Sequence, residues 1–211
     1  MSERPLIVGV GGLTSEVGKT TLLCDLLRMV PGWEAIKTTR GHYRSCGKDA
    51  HTCCVSHLLE DKAVIRSGRE ETYARNKDTG RYWEAGAKNV HWVIATDDQL
   101  ADGIRDAIGR VKTHGVFVEG NSFSEFMKPH FFIMVARADQ PKIKATARKV
   151  LGTVSAFYVS DETKPGGNDD LQELSRKLKL KDVPQFAPVF SSAEVAELAA
   201  CIKQLECEIF V

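Results

Sequence analysis

The sequence lacks the features that mark several large classes of protein. No apolar run approaches the roughly 20 residues of a membrane-spanning helix, and the amino-terminal residues show no secretory signal pattern. The formal net charge is only +1, so no excess of charge favours nucleic acid or an anionic membrane as a partner. No internal repeat or low-complexity stretch occurs. We therefore expect a cytoplasmic protein with one domain over residues 1–211 and an ordinary hydrophobic core.

Cysteine pairs at metal-ribbon spacing are absent as well. The chain has six cysteines, and none of them forms a C-x-x-C pair, which argues against a zinc ribbon or a thioredoxin-like site. In a cytoplasmic protein these thiols are expected to be reduced or to bind a metal rather than to form disulfides.

A glycine-rich turn between a strand pattern and a helix pattern is the most informative motif present. Residues 8–23 read VGVGGLTSEVGKTTLL, where an apolar, β-rich run leads through glycines into a helical spacing of leucines. This order is typical of a phosphate-binding P-loop, whose backbone N–H groups, lysine and hydroxyl hold phosphates and Mg²⁺. The first glycine stands one residue earlier than in G-x-x-x-x-G-K-T, because position 13 is leucine. The predicted nucleotide contacts in the loop are Gly12, Thr14, Glu16, Val17, Gly18, Lys19, Thr20 and Thr21.

Apolar runs along the rest of the chain alternate between short β-rich segments and longer segments with helical spacing. This alternation predicts βαβ units, and hence the three-layer α/β fold of P-loop NTPases, with a mostly parallel sheet flanked by helices. Ser191 or Ser192 is expected to cap the last helix, with Glu194 completing a capping box. We predict strands at 5–10, 33–38, 90–95, 115–119, 130–136, 154–159 and 186–190, and helices at 19–29, 78–87, 97–112, 140–151, 168–179 and 192–205.

Residues 38–77 interrupt this alternation. The segment is polar, too long for a plain strand-to-helix connection, and holds three cysteines and three histidines. We interpret it as an insertion over the carboxyl ends of the strands, with a hairpin or an extra edge pair at 63–76. Thiolate and imidazole together suit Zn²⁺, Cu(I) or an iron–sulfur cluster, and the candidate ligands are Cys46, His51, Cys53 and Cys54. An ordinary loop with reduced thiols, or a reactive thiol, stays open.

Two carboxylates are candidates for binding Mg²⁺ next to the loop. Residues 116–118 read as a buried strand, and Glu119 stands at its carboxyl end. An ionised carboxylate there is costly without a positive partner, so we expect it to face Mg²⁺; an exposed strand-end glutamate is the alternative. Asp78 precedes a helical pattern, where it can bind Mg²⁺ or cap the helix.

Three patches give a family resemblance. KDTGRYWEAGA at 77–87, IKTT at 36–39 and VEG at 118–120 resemble the molybdopterin-guanine dinucleotide biosynthesis adaptor proteins (MobB-like), which are small P-loop GTPases. Dethiobiotin synthetase is similar at the same places and in its P-loop, and metallocofactor-maturation GTPases belong to the same class. The resemblance covers about residues 5–140. It implies Thr20, Asp78 and Glu119 around Mg²⁺, Lys19 and Lys37 as catalytic cations, and a homodimer.

The base-recognition pattern departs from the N-K-x-D of GTPases. After the strand pattern FFIMVA the chain reads Arg137-Ala138-Asp139. Arg137 can stack on a purine, and Asp139 can accept hydrogen bonds from guanine N–H groups. Asp139 as a plain helix cap is equally open. We favour GTP slightly over ATP.

The sequence leaves three functions open. The first is Mg²⁺-dependent hydrolysis of a nucleoside triphosphate, with slow turnover, that serves a client metalloenzyme or a cofactor-synthesis partner. The second is an ATP-dependent ligase of the dethiobiotin synthetase type that acts on a small-molecule carboxylate or carbamate. The P-loop favours it, but TTRG at 38–41 replaces that family's P-V-x-S-G. The third is a catalytically silent nucleotide-binding module.

Overall fold

The computed structural model describes residues 4–41, 55–140, 142–161, 173, 175, 176, 180, 184 and 187–210. The strands are β1 (Leu6–Gly12), β2 (Glu34–Arg40), β3 (Val64–Ser67), β4 (Val90–Ala95), β5 (Gly115–Glu119), β6 (Phe131–Ala136), β7 (Ala156–Val159) and β8 (Val189–Ser191). The helices are α1 (Lys19–Met29), α2 (Arg69–Thr72), α3 (Asp78–Glu84), α4 (Leu100–Gly109), α5 (Ala145–Val150) and α6 (Val195–Phe210). Short 3₁₀ turns lie at Ser56–Leu58, Ser122–Glu125, Leu151–Thr153 and Ser192–Glu194. No helix in these ranges has the length and apolar character needed to cross a membrane.

The strands form one sheet in the order β3-β4-β2-β5-β1-β6-β7-β8. Every described pairing is parallel except that of β3, which runs antiparallel to β4 at the sheet edge. All residues of β1 and β5 are buried, as expected for central parallel strands that helices cover on both faces. Because β5 lies between β1 and β2, the carboxyl ends of these three strands meet side by side.

Helices cover both faces of the sheet and give two separate cores. On one face α1, α3 and α6 pack against β1 and β5, and on the other face α4 and α5 pack against the same sheet. Four leucines of α1 are fully buried, and each contributes about 2 kcal/mol of hydrophobic stabilisation. The predicted α/β fold with a mostly parallel sheet between helical layers is confirmed. The capping box of Ser191 and Glu194 is confirmed as well.

The segment 63–76 differs from its prediction. It contains one edge strand followed by the short helix α2, so the expectation of two strands is wrong. Gly68, with φ at 89°, turns the chain after β3. Local hydrogen bonds from the Ser67 N–H to Glu71 and from the Thr72 hydroxyl to the Gly68 carbonyl then favour a helical turn. This part of the insertion extends the sheet edge rather than covering the strand ends.

A buried acid–base pair connects the amino ends of β2 and β4. Glu34 Oε2 lies 2.7 Å from His91 Nε2, and His91 Nδ1 lies 2.8 Å from Ser67 Oγ. Glu34 Oε1 accepts a hydrogen bond from the Lys112 backbone N–H at 2.8 Å. Burial alone would raise the pKa of Glu34, but the hydrogen bonds from His91 and Lys112 lower it. The carboxylate therefore stabilises the fold in its ionised form.

We expect Glu34→Gln to reduce the free energy of unfolding at pH 7 by about 1.5–3 kcal/mol, the range for hydrogen bonds to a charged group. Because the pKa of Glu34 is lowered on folding, this contribution is present above the ordinary value of 4.5 and disappears as pH falls through the folded-state pKa. Urea unfolding should show that the difference in free energy of unfolding between Glu34→Gln and the unmodified protein becomes smaller from pH 7 to pH 3. As a control, Glu197→Gln on the exposed face of α6 should change the free energy of unfolding little at either pH. If the loss of unfolding free energy in Glu34→Gln does not change with pH, the role of the ionised Glu34 carboxylate is contradicted.

Candidate functional site

The turn between β1 and α1 places the first backbone N–H groups of a helix at a cavity of about 410 Å³. Gly18 has φ 93° and ψ 12°, the left-handed conformation that favours glycine, and a Cβ there would lie 3.2 Å from Ser160 Oγ. Helix α1 then begins at Lys19 with no side-chain cap and no acidic residue in its first turn. Its amino end therefore offers N–H donors and a positive dipole to an anion.

A buried asparagine holds the start of this turn. The Asn121 side chain accepts from the Gly12 N–H at 2.8 Å and donates to the Gly12 carbonyl at 2.9 Å. A Cβ at Gly11 would lie 2.5 Å from Asn121 Oδ1, so glycine is required at this approach. Val17 is fully buried, and its carbonyl accepts from the Ser160 hydroxyl at 2.7 Å. Gly12 and Val17 thus shape the loop, and neither lines the cavity.

The cavity collects most of the residues that the sequence singles out. Thr14, like Gly12 and Val17, does not line it. The lining residues are Ser15, Glu16, Gly18, Lys19, Thr20, Thr21, Lys37, Asp78, Arg81 and Glu119. Arg81 is an addition to the predicted set, and it donates to the Thr21 hydroxyl at 3.1 Å.

A cluster of charges lies at the centre of this lining. Lys37 Nζ is 2.7 Å from Glu119 Oε1 and 2.6 Å from Asp78 Oδ2. The Thr20 hydroxyl donates to the second oxygen of Glu119, Oε2, at 2.9 Å. The lining as a whole is balanced in charge, because three cations (Lys19, Lys37 and Arg81) face three carboxylates (Glu16, Asp78 and Glu119). Lys37 thus joins the two acidic side chains.

The pKa values follow from this balance. Burial alone would lower the pKa of Lys37, but the two adjacent carboxylates more than offset it and raise the pKa. Burial would also raise the pKa of Asp78, and the charge and hydrogen bond of Lys37 lower it instead. For Lys19, burial and the charge of Lys37 lower the pKa, against the opposing effect of Glu119. Both carboxylates therefore ion-pair with a cation inside a partly dry site.

Tyr82 is a site residue that sequence reasoning missed. Its side chain is fully buried, and its hydroxyl donates a short hydrogen bond to Glu119 Oε2, the oxygen that also accepts from Thr20. Burial and the neighbouring Glu119 raise the pKa of Tyr82 well above its ordinary value, so it acts as a neutral donor. Tyr82 follows Asp78 by four residues, which places both on one face of α3, and that spacing is the signal available in the sequence.

Tyr82→Phe is expected to lower the free energy of unfolding by about 1–2 kcal/mol, because a buried carboxylate oxygen loses one of its two hydroxyl donors. Chemical denaturation measures the change. Tyr73→Phe is a matched control, since the Tyr73 hydroxyl bonds Glu84 at 3.0 Å on the protein surface. We expect the control to stay within about 0.5 kcal/mol of the unmodified protein. Equal effects of the two substitutions would show that the buried contact contributes nothing.

The proposed base-recognition residues Arg137 and Asp139 lie just after the end of β6. Arg137 and Asp139 bind each other through two hydrogen bonds, Nε–Oδ1 at 2.8 Å and Nη2–Oδ2 at 2.6 Å. The backbone N–H of Asp139 donates to Asp161 Oδ2 at 3.0 Å. The following helix begins at Ala145 rather than near residue 140, so the interpretation of Asp139 as its cap is wrong.

A second cavity of about 420 Å³ adjoins the first. Both share Glu16, Gly18 and Thr21, and Arg137 lies in the second lining while Asp139 does not. Its other lining residues are Leu22, Asp25, Tyr158, Ser160, Ser192 and Val195. A groove therefore extends from the charged cluster past the start of α1 to the end of β7.

The oxygen donors of the first cavity fit a hard divalent cation. Thr20, Asp78 and Glu119 place a hydroxyl and two carboxylates beside one another, which is the donor chemistry that Mg²⁺ prefers. Lys37 supplies the positive charge that these carboxylates contact in this structure.

The predicted cysteine and histidine ligands Cys46, His51, Cys53 and Cys54 lie outside the described residues. His57, which follows them, is exposed. Over the ranges that are described, no three His, Cys, Asp or Glu side chains are grouped to hold a metal ion. A transition-metal site at these positions stays a prediction from sequence.

Comparison with known proteins gives a structural likeness only. No family model matches the chain, and no curated protein matches its sequence. The structure is similar to HypB from Helicobacter pylori in complex with nickel, with a TM-score of 0.53 and 13% identity over 98% of this chain and 89% of that chain. A nucleotide-binding protein from Archaeoglobus fulgidus, in complex with ADP and with Co, aligns at 14% identity over 95% of this chain and 87% of that chain. Its TM-score of 0.39 is too low to carry an argument. The chain thus has the P-loop NTPase fold predicted from its sequence.

Proposed function

We propose that the protein binds and hydrolyses a nucleoside triphosphate with Mg²⁺ at the amino end of α1. The observation that carries this proposal is the convergence of Lys19, Thr20, Lys37, Asp78 and Glu119 on one cavity beside the helix N–H groups. Such a combination of amides, ammonium groups and oxygen ligands is suited to a polyphosphate and its metal ion.

Each side chain has a role that follows from its contacts. Lys19 and the N–H groups of residues 18–21 would neutralise the phosphates, and Thr20, Asp78 and Glu119 would hold Mg²⁺. The metal ion supplies charge neutralisation at the transferred phosphoryl group. Lys37 holds Asp78 and Glu119 together, and it lines the same cavity, where its ammonium group would add positive charge beside the phosphates. Because Lys37 lowers the pKa of Asp78, that carboxylate is a weak base for water, which favours slow intrinsic hydrolysis.

A role in metallocofactor maturation is the finer part of the proposal. It rests on the structural likeness to nickel-bound HypB and on the cysteine and histidine residues at 42–57. In this role hydrolysis accompanies delivery of a metal or metallocofactor to a client enzyme or cofactor-synthesis partner, and the protein acts as a homodimer. GTP is the favoured nucleotide. The sequence TTRG at 38–41, in place of the P-V-x-S-G of the ligase family, counts against the ligase alternative.

The deciding experiment measures phosphate release from GTP and from ATP, with and without Mg²⁺ and without any partner. We expect slow, Mg²⁺-dependent release with a preference for GTP. A fast rate in the absence of a partner would contradict the delivery role. Strict dependence on ATP together with a small carboxylic acid would favour the ligase, and tight binding without turnover would indicate a silent module.

Metal analysis tests the delivery role separately. Protein purified without oxygen is expected to contain about one transition-metal ion per chain, and Cys53→Ser with Cys54→Ser should remove it because thiolates are strong ligands for such ions. Inductively coupled plasma mass spectrometry gives the stoichiometry. Cys201→Ser and Cys207→Ser on exposed positions of α6 are matched controls that should retain the metal. Metal-free protein that still turns over nucleotide would exclude a metal cargo at these cysteines.

A further inference from the structure

A larger cavity lies at the opposite end of the sheet. It has a volume of about 570 Å³ and is formed by the start of β1, the end of α4 and the residues that precede β6. Its apolar surface comes from Ile7, Ile108, Val111 and Met127. The volume falls within the roughly 300–1,000 Å³ of sites that bind small molecules. Nothing in the proposed nucleotide chemistry uses this cavity.

The rim of this cavity is positively charged. Arg4, Arg105 and Lys128 are exposed and line it. Arg105 lies 3.1 Å from Asp102, but neither Arg4 nor Lys128 forms an ion pair with any residue that the structure describes. The rim therefore has about two uncompensated positive charges above an apolar floor.

A histidine adds a directed donor to the same rim. His130 Nδ1 accepts a hydrogen bond from the backbone N–H of Ile7 at 2.9 Å. Because Nδ1 has no proton when it accepts, the proton of the neutral ring lies on Nε2, which remains a donor. His130 also lines the cavity and is exposed. An anionic group at the rim would thus meet two cations and one N–H donor.

We propose that this cavity is a second ligand site, specific for a small, largely apolar molecule that carries one anionic group. The apolar part would lie against Ile7, Ile108 and Met127, and the carboxylate or sulfonate would lie between Arg4, Lys128 and His130. The site is distinct from the phosphate cavity, because Ile7 and Gly12 are five residues apart on β1, about 16 Å along the strand. The proposal of a second ligand site therefore does not depend on the proposed nucleotide function.

Two dyes with the same rings separate the contributions of shape and charge. We expect 8-anilinonaphthalene-1-sulfonate to bind the native full chain one-to-one, measured by fluorescence titration under conditions where circular dichroism shows folded protein. The neutral analogue N-phenyl-1-naphthylamine should bind about tenfold more weakly, since it lacks the charge that the two rim cations would contact. Equal affinity for the two dyes would overturn the anionic specificity.

Substitutions locate the dye. Gly109 lines the cavity at the end of α4, and a Cβ there meets no atom within 4 Å, so Gly109→Trp can be accommodated while blocking the mouth. Gly152→Trp is the matched control, because Gly152 has equal space and does not line the cavity. We expect Gly109→Trp to weaken sulfonate binding at least about tenfold and Gly152→Trp to leave it unchanged. Equal binding by the two variants would overturn the site.

Charge reversal completes the test. Arg4→Glu with Lys128→Glu should weaken the sulfonate at least about tenfold without changing binding of the neutral dye, whereas Lys62→Glu with Lys203→Glu should affect neither. Unchanged sulfonate binding in the first pair would overturn the role of the rim. Lys19→Ala should bind the sulfonate as the native protein does. A loss there would place the dye in the phosphate cavity and would overturn the assignment.

Discussion

Lys19→Ala is expected to abolish tight nucleotide binding, with a loss of affinity of at least about 100-fold, or about 2.7 kcal/mol. Lys19 lines the cavity at the start of α1, and burial together with the charge of Lys37 lowers its pKa. A partly desolvated ammonium interacts with a phosphate more strongly than one in water does. Isothermal titration calorimetry with GTP and Mg²⁺ measures the loss.

The fold should survive this substitution, because burial of the Lys19 ammonium outweighs its attraction to Glu119 and lowers its pKa, so the charged lysine does not stabilise the fold. Thermal unfolding checks that point. Lys203→Ala, at an exposed position of α6, removes a lysine of the same size and should change the affinity less than about twofold. Micromolar affinity retained by Lys19→Ala would mean that the loop does not hold the phosphates.

Asp78→Asn is expected to reduce the rate of hydrolysis about 100-fold or more and to raise the Mg²⁺ concentration needed for half-maximal activity at least about tenfold. The variant removes one of the two negative charges around Lys37 while keeping the shape of the side chain. Asp78 is 40% exposed and Glu119 only 3%, so asparagine at position 78 is tolerated better by the fold. Phosphate release across a Mg²⁺ titration gives both quantities.

Asp97→Asn is the matched control. Asp97 Oδ1 lies 2.9 Å from Arg40 Nη1 in an exposed ion pair that does not line the cavity, so its loss should leave the Mg²⁺ dependence unchanged. Glu119→Gln should lower the rate in the same way and should also destabilise the protein, because Lys37, Thr20 and Tyr82 all bind the Glu119 carboxylate. An unaltered Mg²⁺ titration for Asp78→Asn would contradict the proposed metal ligands.

The elements that local patterns determine are those that the sequence predicts well. The helix predicted at 19–29 and the strands predicted at 115–119 and 90–95 have the same bounds in the structure. In each case a continuous apolar run, or a helical spacing of leucines, ends at a clear change in composition. The failure at 63–76 has a local cause as well, since Gly68 turns the chain and hydrogen bonds around Thr72 favour a helix over a second strand.

In the candidate site, too, the features that depend on local sequence could be predicted and the long-range contacts could not. The placement of Lys19, Thr20 and Glu119 beside one cavity could be predicted, because it follows from the start of one helix and the end of one strand. The contact of Tyr82 with Glu119 and that of Asn121 with Gly12 could not be predicted, because they span 37 and 109 residues of sequence. The ion pair between Arg137 and Asp139 was not predicted either, although the two residues are only two positions apart in sequence. Composition reports which groups are present, and only packing decides which of them meet.

Asn121 has a consequence for how the loop can move. The ladder between β1 and β5 ends where the Gly120 N–H donates to the Val10 carbonyl, and the chain then turns away with φ at 136°. Beyond that point the carboxamide of Asn121 takes the place of backbone groups of β5. It accepts from the Gly12 N–H and donates to the Gly12 carbonyl, as the backbone of a longer strand would have done. On the β5 side the loop is therefore held by one side chain, whereas on the β6 side it is held by main chain, where the Leu13 N–H donates to the Val135 carbonyl. A change in the rotamer of Asn121 would free the β5 side of Gly12 without separating β1 from β5.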